Sequence, residues 1–371
     1  MKVAHVTSQL GRESAGLGAA VSAISAATKE AGNEVRVFGI SSAGWNAGDS
    51  TSWSGAKAEV FDPASWSGPF GYAPLMLSAL LEFNPDVVHL HGLWTYPSIA
   101  THQWHRITGR PYVVSAHGML MSASFYYKSG RKTVARHLFQ DRVLRAAAIL
   151  HATSTDEQAA YRALGFDNRV ELVSLGLDTV PLPEVDRNGA NRRVLFLGRL
   201  HHQKGIDWLI EAWTWLERDF PDWTLSIVGP LEESFVRDMD KIRHQATGRR
   251  VSFLAPLYDA EKYRYMAGSD LFVMPSRSEN FGLTAAESLM MECPVIATTG
   301  TPWSGLIAAE AGWWIKPGAS ALEAAMRSAM ALPRAELRRK GGNGRRWIEQ
   351  DFSWTVIGTK WQILYEGLQG G

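Results

Sequence analysis

Two carboxylates beside a predicted helix start are the strongest chemical signal in the sequence. The stretch Pro275–Glu287, PSRSENFGLTAAE, follows the apolar run LFVM and predicts a strand, a loop and then a helix. Free amides at a helix start favour an anion, phosphate above all, while the carboxylates can accept hydrogen bonds from ribose or sugar hydroxyls. A helix-start charge with a solvated loop glutamate is the simpler alternative. The candidate binding residues are Glu279, Asn280, Phe281, Gly282, Leu283 and Glu287.

A basic loop follows the first predicted strand of the second half of the chain. Gly198–Gly205, GRLHHQKG, carries Arg199 and Lys204. Arginine suits bidentate phosphate contact and lysine adds a compact positive charge, so the pair can neutralise a departing diphosphate. The loop matches neither GxxxxGK[ST] nor GxGxxG. A solvent-facing basic loop is the alternative.

Small residues and histidines mark strand ends in the first half of the chain. The segment AGLG holds Gly16 and Gly18 after the first strand, where a ligand could approach the backbone, although a plain tight turn explains them equally well. His89 and His91 alternate along a strand and therefore share a face. His117 ends another strand, where it can bind a phosphate or a sugar hydroxyl or act as a base. Satisfied core histidines are the competing interpretation.

A basic and aromatic stretch, residues 126–145, is the candidate for membrane contact and for the side of the site that would bind a second substrate, here called the acceptor side. Its sequence YYKSGRKTVARHLFQDRVLR can dock on an anionic membrane surface or a lipid diphosphate. A solvated helix face is the alternative. Trp94 and Trp303 follow strand-end motifs and are expected to line the acceptor side. The acceptor-side candidates are His91, Trp94, Lys128, Arg131 and Lys132.

The composition indicates an ordinary globular protein with room for two cores. The length of 371 residues predicts about two domains, and 46% hydrophobic with 20% charged residues excludes collagen, coiled coil and disorder. The formal net charge of +1 provides no global field for nucleic acid. A single cysteine fits a reducing compartment. The N-terminus is too short and polar for a signal peptide, and no apolar run is long enough to span a membrane, so we expect a cytoplasmic protein.

Apolar strands alternate with helical segments along the chain, which indicates parallel sheets and a layered α/β fold. We predict a first domain over residues 1–180, with a long surface loop at Ser41–Gly71, and a second domain over 193–352. Residues 181–192, rich in proline, glycine and charge, form the predicted linker, and a final helix covers about 353–371. Ligands bind beyond the carboxyl ends of parallel strands, so two facing sheets would place a cleft between the domains.

Taken together, these motifs resemble those of the retaining glycosyltransferases of family 4, which have the GT-B architecture of two facing Rossmann-like domains. The resemblance covers the whole chain and rests on GRLHHQKG, on Glu279 and Glu287 with seven residues between them, and on Pro294–Trp303. HGLW and AHGM resemble members that build bacterial exopolysaccharide or lipopolysaccharide. One departure is that the usual double glycine of the first turn is Ala15–Gly16 here.

The resemblance implies a UDP- or GDP-linked sugar donor and a glycan or polyprenyl-diphosphate-linked acceptor. Arg199 and Lys204 would stabilise the diphosphate, and Glu287 would bind the ribose. Glu279, with the backbone of Asn280–Leu283, would hold the donor sugar. The final helix would cross back onto the first domain.

From the first domain, His117 would contact the sugar or the phosphate. We therefore predict a retaining glycosyltransferase of surface polysaccharide biosynthesis, peripheral on the inner face of the plasma membrane. Asp238 and Asp240 match the DxD of metal-dependent sugar transfer, but residues two apart on a helix do not converge, so we predict no obligatory metal and no other cofactor. The alternatives are a sugar phosphorylase, a nucleotide-sugar epimerase or a non-catalytic sugar-binding protein.

Overall fold

The computed structural model describes residues 1–8, 10, 15–41, 56–121, 129–186, 189 and 191–369, with the backbone alone at 15, 16, 129 and 131. The chain divides into two compact units. Unit 1 comprises Met1–Gly176 and Trp354–Gly371, and unit 2 comprises Leu177–Ser353. The segment predicted as a linker, 181–192, therefore falls in unit 2. In the described residues, no helix is both long and apolar enough to cross a membrane.

Unit 1 is built on a parallel sheet of seven strands in the order β3-β2-β1-β4-β5-β6-β7. Short apolar runs such as VVHLH and ILHA form its central strands, which are buried throughout because helices cover both faces. The strands are β1 Lys2–Thr7, β2 Glu34–Ile40, β3 Lys57–Phe61, β4 Val87–His91, β5 Tyr112–Ser115, β6 Ile149–Ala152 and β7 Val170–Leu172.

Alternate residues of these strands enter two cores. On one face, residues such as Val88 and Leu90 pack with Leu80 and Trp104 from the helices beside the sheet. On the other face, Val87 and its neighbours pack under the first and last helices of the unit. The unit's helices are α1 Ala15–Glu30, α2 Leu75–Phe83, α3 Tyr96–Thr108, α4 Ser129–Ala135, a π-helical turn Arg136–Gln140, α5 Asp141–Ala146, α6 Thr155–Ala163 and α14 Trp354–Gly367.

Two predicted features of unit 1 need correction. The predicted loop Ser41–Gly71 contains β3 and a 3₁₀ segment at Ser65–Phe70, and its residues 42–55 lie outside the described part of the chain. β3 escaped prediction because its residues KAEVF are exposed or half-buried at the sheet edge and carry little apolar signal. The expected turn at Ala15–Gly18 is the first turn of α1, so Gly16 and Gly18 are helical.

A chain of buried polar groups ties α14 to the sheet. His151 Nε2 lies 2.7 Å from the Val173 carbonyl and must donate to it, because a carbonyl only accepts. Neutral His151 then accepts from Ser115 at Nδ1 (2.6 Å), and Ser115 accepts from His89 Nε2 (2.6 Å). His89 Nδ1 is left to accept from the Tyr365 hydroxyl at 2.7 Å. The Val173 carbonyl thereby fixes the direction of every bond up to the C-terminal helix.

Unit 2 has a parallel sheet of six strands in the order β10-β9-β8-β11-β12-β13. Its core includes the fully buried Trp213 and Trp223. The strands are β8 Arg192–Leu197, β9 Trp223–Val228, β10 Val251–Leu254, β11 Leu271–Met274, β12 Val295–Thr298 and β13 Gly312–Ile315. The helices are α7 Ile206–Leu216, α8 Val236–Gln245, α9 Asp259–Ala267, α10 Leu283–Met290, α11 Gly305–Ala308, α12 Ala319–Met330 and α13 Arg334–Asp351. The predicted pair of parallel-sheet Rossmann-like domains is confirmed.

The hydroxyl of Tyr365 is expected to stabilise unit 1. The substitution Tyr365→Phe leaves His89 Nδ1 buried without its donor, which costs about 1–3 kcal/mol. The matched control is Tyr258→Phe, which removes the same hydroxyl from a side chain that is 68% exposed. Thermal unfolding should show a lower melting temperature for Y365F and an unchanged one for Y258F. Equal melting temperatures would show that the buried chain contributes no stability.

Candidate functional site

The candidate site of unit 2 lies where the strand order of its sheet reverses. After β8, the chain builds β9 and β10 on one side and then returns to place β11 on the other. The loops that follow two adjacent strands therefore leave in opposite directions, which is where open parallel sheets bind ligands. These loops are residues 198–205 and 275–282, the two segments in which the sequence carries its strongest motifs.

Backbone contact holds the two loops together. Gly205 has a left-handed φ of +67°, and a Cβ at this position would overlap the Pro275 carbonyl oxygen. The Arg277 amide donates to the Gln203 carbonyl at 2.7 Å. The Arg277 guanidinium forms two hydrogen bonds, of 2.9 and 2.6 Å, with the carboxylate of Asp207. Only glycine fits position 205, so its residue type determines how closely the loops approach.

The loop contact brings together two predicted site residues, Lys204 and Glu279. Their side chains form an ion pair and are 21% and 13% exposed. The Ser276 hydroxyl also donates to Glu279 Oε1 at 3.1 Å, and the Glu279 amide donates to the Gly300 carbonyl at 2.8 Å. A cation and a hydrogen-bond acceptor are thus held side by side at the carboxyl ends of β8 and β11.

The start of α10 lies in the same loop. Gly282 is its N-cap with a φ of +79°, and a glycine has no side chain with which to cap the helix. A Cβ at Gly282 would lie 2.8 Å from Met274 Sδ. Trp303 is 1% exposed and donates from Nε1 to the Phe281 carbonyl at 2.7 Å. Trp303 therefore supports this loop from the core, which corrects its expected place on the acceptor side. The first amides of a helix have no partner within the helix, so they can bind an anion.

Glu287 has a partner that the sequence did not indicate. Lys262, on α9, forms an ion pair with Glu287 at 2.7 Å. Burial raises the pKa of the Glu287 carboxyl, and the charge of Lys262 acts against this rise. No local spacing connects the two residues, because the contact depends on how α9 packs beside α10. The pair can offer both an acceptor for hydroxyls and a nearby positive charge.

Arg199 lies apart from the Lys204–Glu279 pair in this structure. Its guanidinium contacts Glu232 at 2.6 Å, and the Arg199 side chain is 69% exposed. His201 Nε2 is 3.8 Å from the same carboxylate, and His201 is part of the loop rather than a metal ligand set. Glu232 follows β9 and was not identified from the sequence.

In unit 1, the strand-end histidines lie against each other. His91 Nδ1 is 3.1 Å from His117 Nε2, and His117 adopts a left-handed φ of 51°. The next amide, that of Gly118, donates to Glu157 Oε1 at 2.5 Å. Glu157 is fully buried, which raises the pKa of its carboxyl. Glu157 thus holds the turn that presents His117.

Glu157 itself could have been noticed from its local pattern. The segment Ser154–Glu157 has the spacing of a capping box, and the Ser154 hydroxyl accepts from the Glu157 amide at 3.2 Å. A capping box predicts a carboxylate that turns back to its own helix start. Here the carboxylate accepts from the Thr153 amide at 2.8 Å and from the Gly118 amide in the turn after His117. The contact with Gly118 joins distant segments and therefore could not be predicted from the local pattern.

A largely apolar pocket opens beside this turn within unit 1. Its volume is about 630 Å³. Trp94 lies on its wall and donates from its amide to Gln140 Oε1 at 2.8 Å. His91 is 1% exposed and does not belong to the pocket lining, so the structure does not place it there as an acceptor-side residue. The lining includes Ile40, Phe70, Leu93, Trp94, Met119 and Lys132.

The structure describes the remaining predicted residues only in part. Lys128 lies outside the described residues, and only the backbone of Arg131 is described, in α4. Asp238 is exposed on α8 and pairs with Lys241 at 3.2 Å.

Three buried histidines of unit 1 come close enough to be tested as a metal site. Ring nitrogens of His5, His89 and His91 lie within 4.8 Å of one another. Both ring nitrogens of His89 and of His91 already take part in hydrogen bonds. A metal ion would have to break these bonds, so we assign no metal to this cluster.

Two family models match the chain, one over each half. The glycosyl transferase 4-like domain matches residues 15–176, and the glycosyl transferases group 1 model matches residues 183–347. The glycogen synthase of Mycobacterium tuberculosis is 26% identical over 327 residues, which cover 84% of this chain and 77% of that enzyme. The GDP-mannose:cellobiosyl-diphosphopolyprenol alpha-mannosyltransferase of Xanthomonas oryzae is 27% identical over 275 residues, 72% of this chain and 69% of that enzyme.

Solved structures share the fold. Anabaena HepE, in complex with UDP and glucose, aligns with a TM-score of 0.75 at 19% identity and covers 99% of this chain and 100% of that chain. Sucrose-phosphate synthase from Thermosynechococcus elongatus aligns with a TM-score of 0.77 at 21% identity, with 99% of each chain covered. Two Rossmann-like units with these matches define a glycosyltransferase of GT-B fold. The chain belongs to glycosyltransferase family 4.

The contact at Gly205 can be tested against a glycine of similar backbone. Gly248 has a φ of +76° with nothing within 4 Å of an added Cβ, whereas Gly205 meets Pro275. Alanine in a left-handed conformation costs about 1–2 kcal/mol at either position, but only Gly205→Ala also separates the two loops. We expect glycosyl transfer to fall about a hundredfold in G205A, since a shift of about 1 Å can cost this much.

Gly248→Ala should keep transfer near the wild-type rate, although it carries the same left-handed backbone cost. Steady-state assays and thermal unfolding measure both quantities. Full activity in G205A would show that the loop contact does not position the site.

Proposed function

We propose that the chain is a retaining glycosyltransferase that moves a sugar from a nucleotide-diphosphate sugar to a glycan or lipid-linked acceptor. The observation that carries this proposal is the Lys204–Glu279 pair beside the start of α10, whose N-cap is Gly282. A cation next to the amides at a helix start suits a diphosphate. A carboxylate next to the same anion suits hydroxyl groups, because it would repel the phosphate itself.

The donor is a UDP- or GDP-linked sugar. Support comes from the names of similar proteins: the Anabaena structure contains UDP and glucose, and the Xanthomonas enzyme is named for GDP-mannose. We assign the diphosphate to Lys204 and Arg199 and the ribose hydroxyls to Glu287, with Lys262 beside it. Arg199 would exchange its contact with Glu232 for a phosphate oxygen.

Glu279, with the backbone of residues 280–283, is assigned to the donor sugar, and His117 to a sugar hydroxyl or phosphate oxygen. Lys204 has three N–H donors, so it can keep one bond to Glu279 and give another to a phosphate oxygen. The carboxylate then stays next to the cation while it accepts hydrogen bonds from the sugar. Gly16 and Gly18, in the first turn of α1, are assigned to backbone approach by the diphosphate.

We propose a front-face mechanism without a protein nucleophile. The bond between the anomeric carbon and the diphosphate oxygen breaks, and an oxocarbenium-like sugar forms. The acceptor hydroxyl attacks from the same face, and its proton passes to the leaving phosphate oxygen. Catalysis then consists of positioning and of electrostatic stabilisation of the leaving group. Lys204 and Arg199 supply the positive charge, so the proposal includes no obligatory metal or other cofactor.

The acceptor is assigned to the apolar pocket of unit 1. Its aromatic and aliphatic walls with Lys132 in the lining suit an amphiphile whose phosphate lies beside a lipid or glycan. The Xanthomonas relative is named for a diphosphopolyprenol-linked acceptor. We therefore propose a role in bacterial surface polysaccharide biosynthesis, of the exopolysaccharide or lipopolysaccharide type.

The donor class and the role of Lys204 can be tested together. UDP or GDP should raise the melting temperature, because a ligand of the native state stabilises it. With the matching sugar nucleotide and an acceptor, the product should keep the anomeric configuration of the donor, which ¹H NMR reports. Lys204→Ala or Arg199→Ala should lower kcat about 100-fold or more, since loss of one such donor costs about 2.7–4 kcal/mol.

The control is Lys241→Ala, because Lys241 is 76% exposed and pairs with Asp238 alone in the described contacts. K241A should retain wild-type kcat. Near-wild-type kcat in both K204A and R199A would remove their assigned role, and an inverted product would exclude the front-face mechanism.

We also propose that unit 1 contacts an anionic membrane surface through the helical stretch from α4 to α5. Val134 and Leu138, four residues apart, are 58% and 65% exposed, and the exposed Arg142 follows on the same stretch. Exposed apolar residues with cations suit the interface of an anionic bilayer.

The double substitution Val134→Ser and Leu138→Ser should reduce flotation with anionic vesicles about tenfold, since each apolar side chain then loses its burial in lipid. The control is Ile307→Ser in unit 2, which is also 58% exposed. Equal flotation of the double variant and the wild type would exclude this stretch as the contact.

A further inference from the structure

Three histidines of unit 1 form a second chain of hydrogen bonds, which ends at His117. His5 Nδ1 lies 2.9 Å from His91 Nε2, and His91 Nδ1 lies 3.1 Å from His117 Nε2. The rings of His5 and His91 are stacked, as are those of His91 and His117. His5 and His91 are fully enclosed, whereas His117 keeps part of its surface exposed.

The three imidazoles are neutral. Burial lowers the pKa of His5 and of His117 to about 3 and the pKa of His91 well below its ordinary value. A neutral imidazole has one N–H and one lone pair. His91 therefore donates to one neighbour and accepts from the other, and all three rings share one direction of donation.

Two directions satisfy both hydrogen bonds, and they differ at the buried end. His5 Nε2 is buried and has no hydrogen-bond partner in the described structure. If His117 donated inward, His5 Nε2 would carry an N–H without an acceptor. If His5 donates outward, Nε2 carries only an unused lone pair. Buried N–H groups without a partner are rarer than under-used acceptors, so donation runs from His5 through His91 to His117.

We propose that His5 and His91 are positioning residues that hold His117 in the tautomer with its proton on Nδ1. His117 then offers substrate an N–H donor and has no lone pair free to act as a base. This inference rests on the proposed function, in which His117 contacts a sugar hydroxyl or a phosphate oxygen. Both oxygens accept such a bond, and the acceptor's proton remains for the leaving phosphate.

The tautomer can be observed without any assay of transfer. In the full chain with ¹⁵N-labelled histidine, long-range ¹H–¹⁵N spectra distinguish protonated from unprotonated ring nitrogens, and a His117→Asn sample assigns the signal. We expect protonated Nδ1 and unprotonated Nε2 at His117. A His117 with its proton on Nε2 would overturn the proposal, and this wild-type measurement does not depend on the folding of a variant at position 5.

Variants at position 5 test whether the effect passes along the chain. His5→Leu removes the first donor, so His117 should show both tautomers, and kcat/KM should fall roughly two- to tenfold, the value of one neutral hydrogen bond. His5→Asn places an amide donor where Nδ1 was and should restore both readouts. His151→Asn is the control, because His151 is equally buried but belongs to the chain of Ser115 and His89.

An unchanged His117 tautomer in folded H5L would overturn the positioning role. If the chain transferred no sugar, the spectra would still decide the tautomer, and the proposed function alone would fail. If transfer were found with His117 protonated on Nε2, only the present inference would fail.

Discussion

The close approach of two loop backbones at Gly205 is the constraint on which the candidate site depends. A left-handed residue without Cβ lets the loop after β8 contact Pro275 in the loop after β11. The two strands are adjacent in the sheet, so this contact, with the Arg277 bonds between the loops, places Lys204 against Glu279. The residue without a side chain thus determines where two charged side chains meet.

Unit 1 differs from the site of unit 2 in that its central strands bury polar side chains that carry no charge. Its central strands carry polar side chains on one face, and the rings of His5, His89 and His91 remain neutral in the core. One chain of bonds ends at a backbone carbonyl, which fixes its direction, and ties in the C-terminal helix through Tyr365. Buried polar groups that are hydrogen-bonded to one another in this way favour one arrangement of the strands and helices around them.

The parallel α/β units and the two loops of unit 2 could be predicted because their signals are local: apolar runs, turn residues and glycines. Contacts between distant segments could not. Lys262 meets Glu287, and Glu232 meets Arg199, only through the packing of separate elements. The edge strand β3 was missed because half-exposed strands lack an apolar run. Trp303 shows the opposite error, since its position after a strand suggested a ligand wall while its ring is buried under the site.

The ion pair of Lys204 with Glu279 also explains how a flexible cation can be ready before its ligand arrives. A lysine side chain loses about 2 kcal/mol of rotamer entropy when it is fixed. In the proposed site, Glu279 imposes this order in advance, and the Ser276 hydroxyl holds the carboxylate in turn. The diphosphate then meets an oriented ammonium with two N–H groups still to give. Since the pair is mostly shielded from water, the attraction is screened less than at the surface. The contact with Glu279 therefore both orients the lysine side chain and stabilises its positive charge.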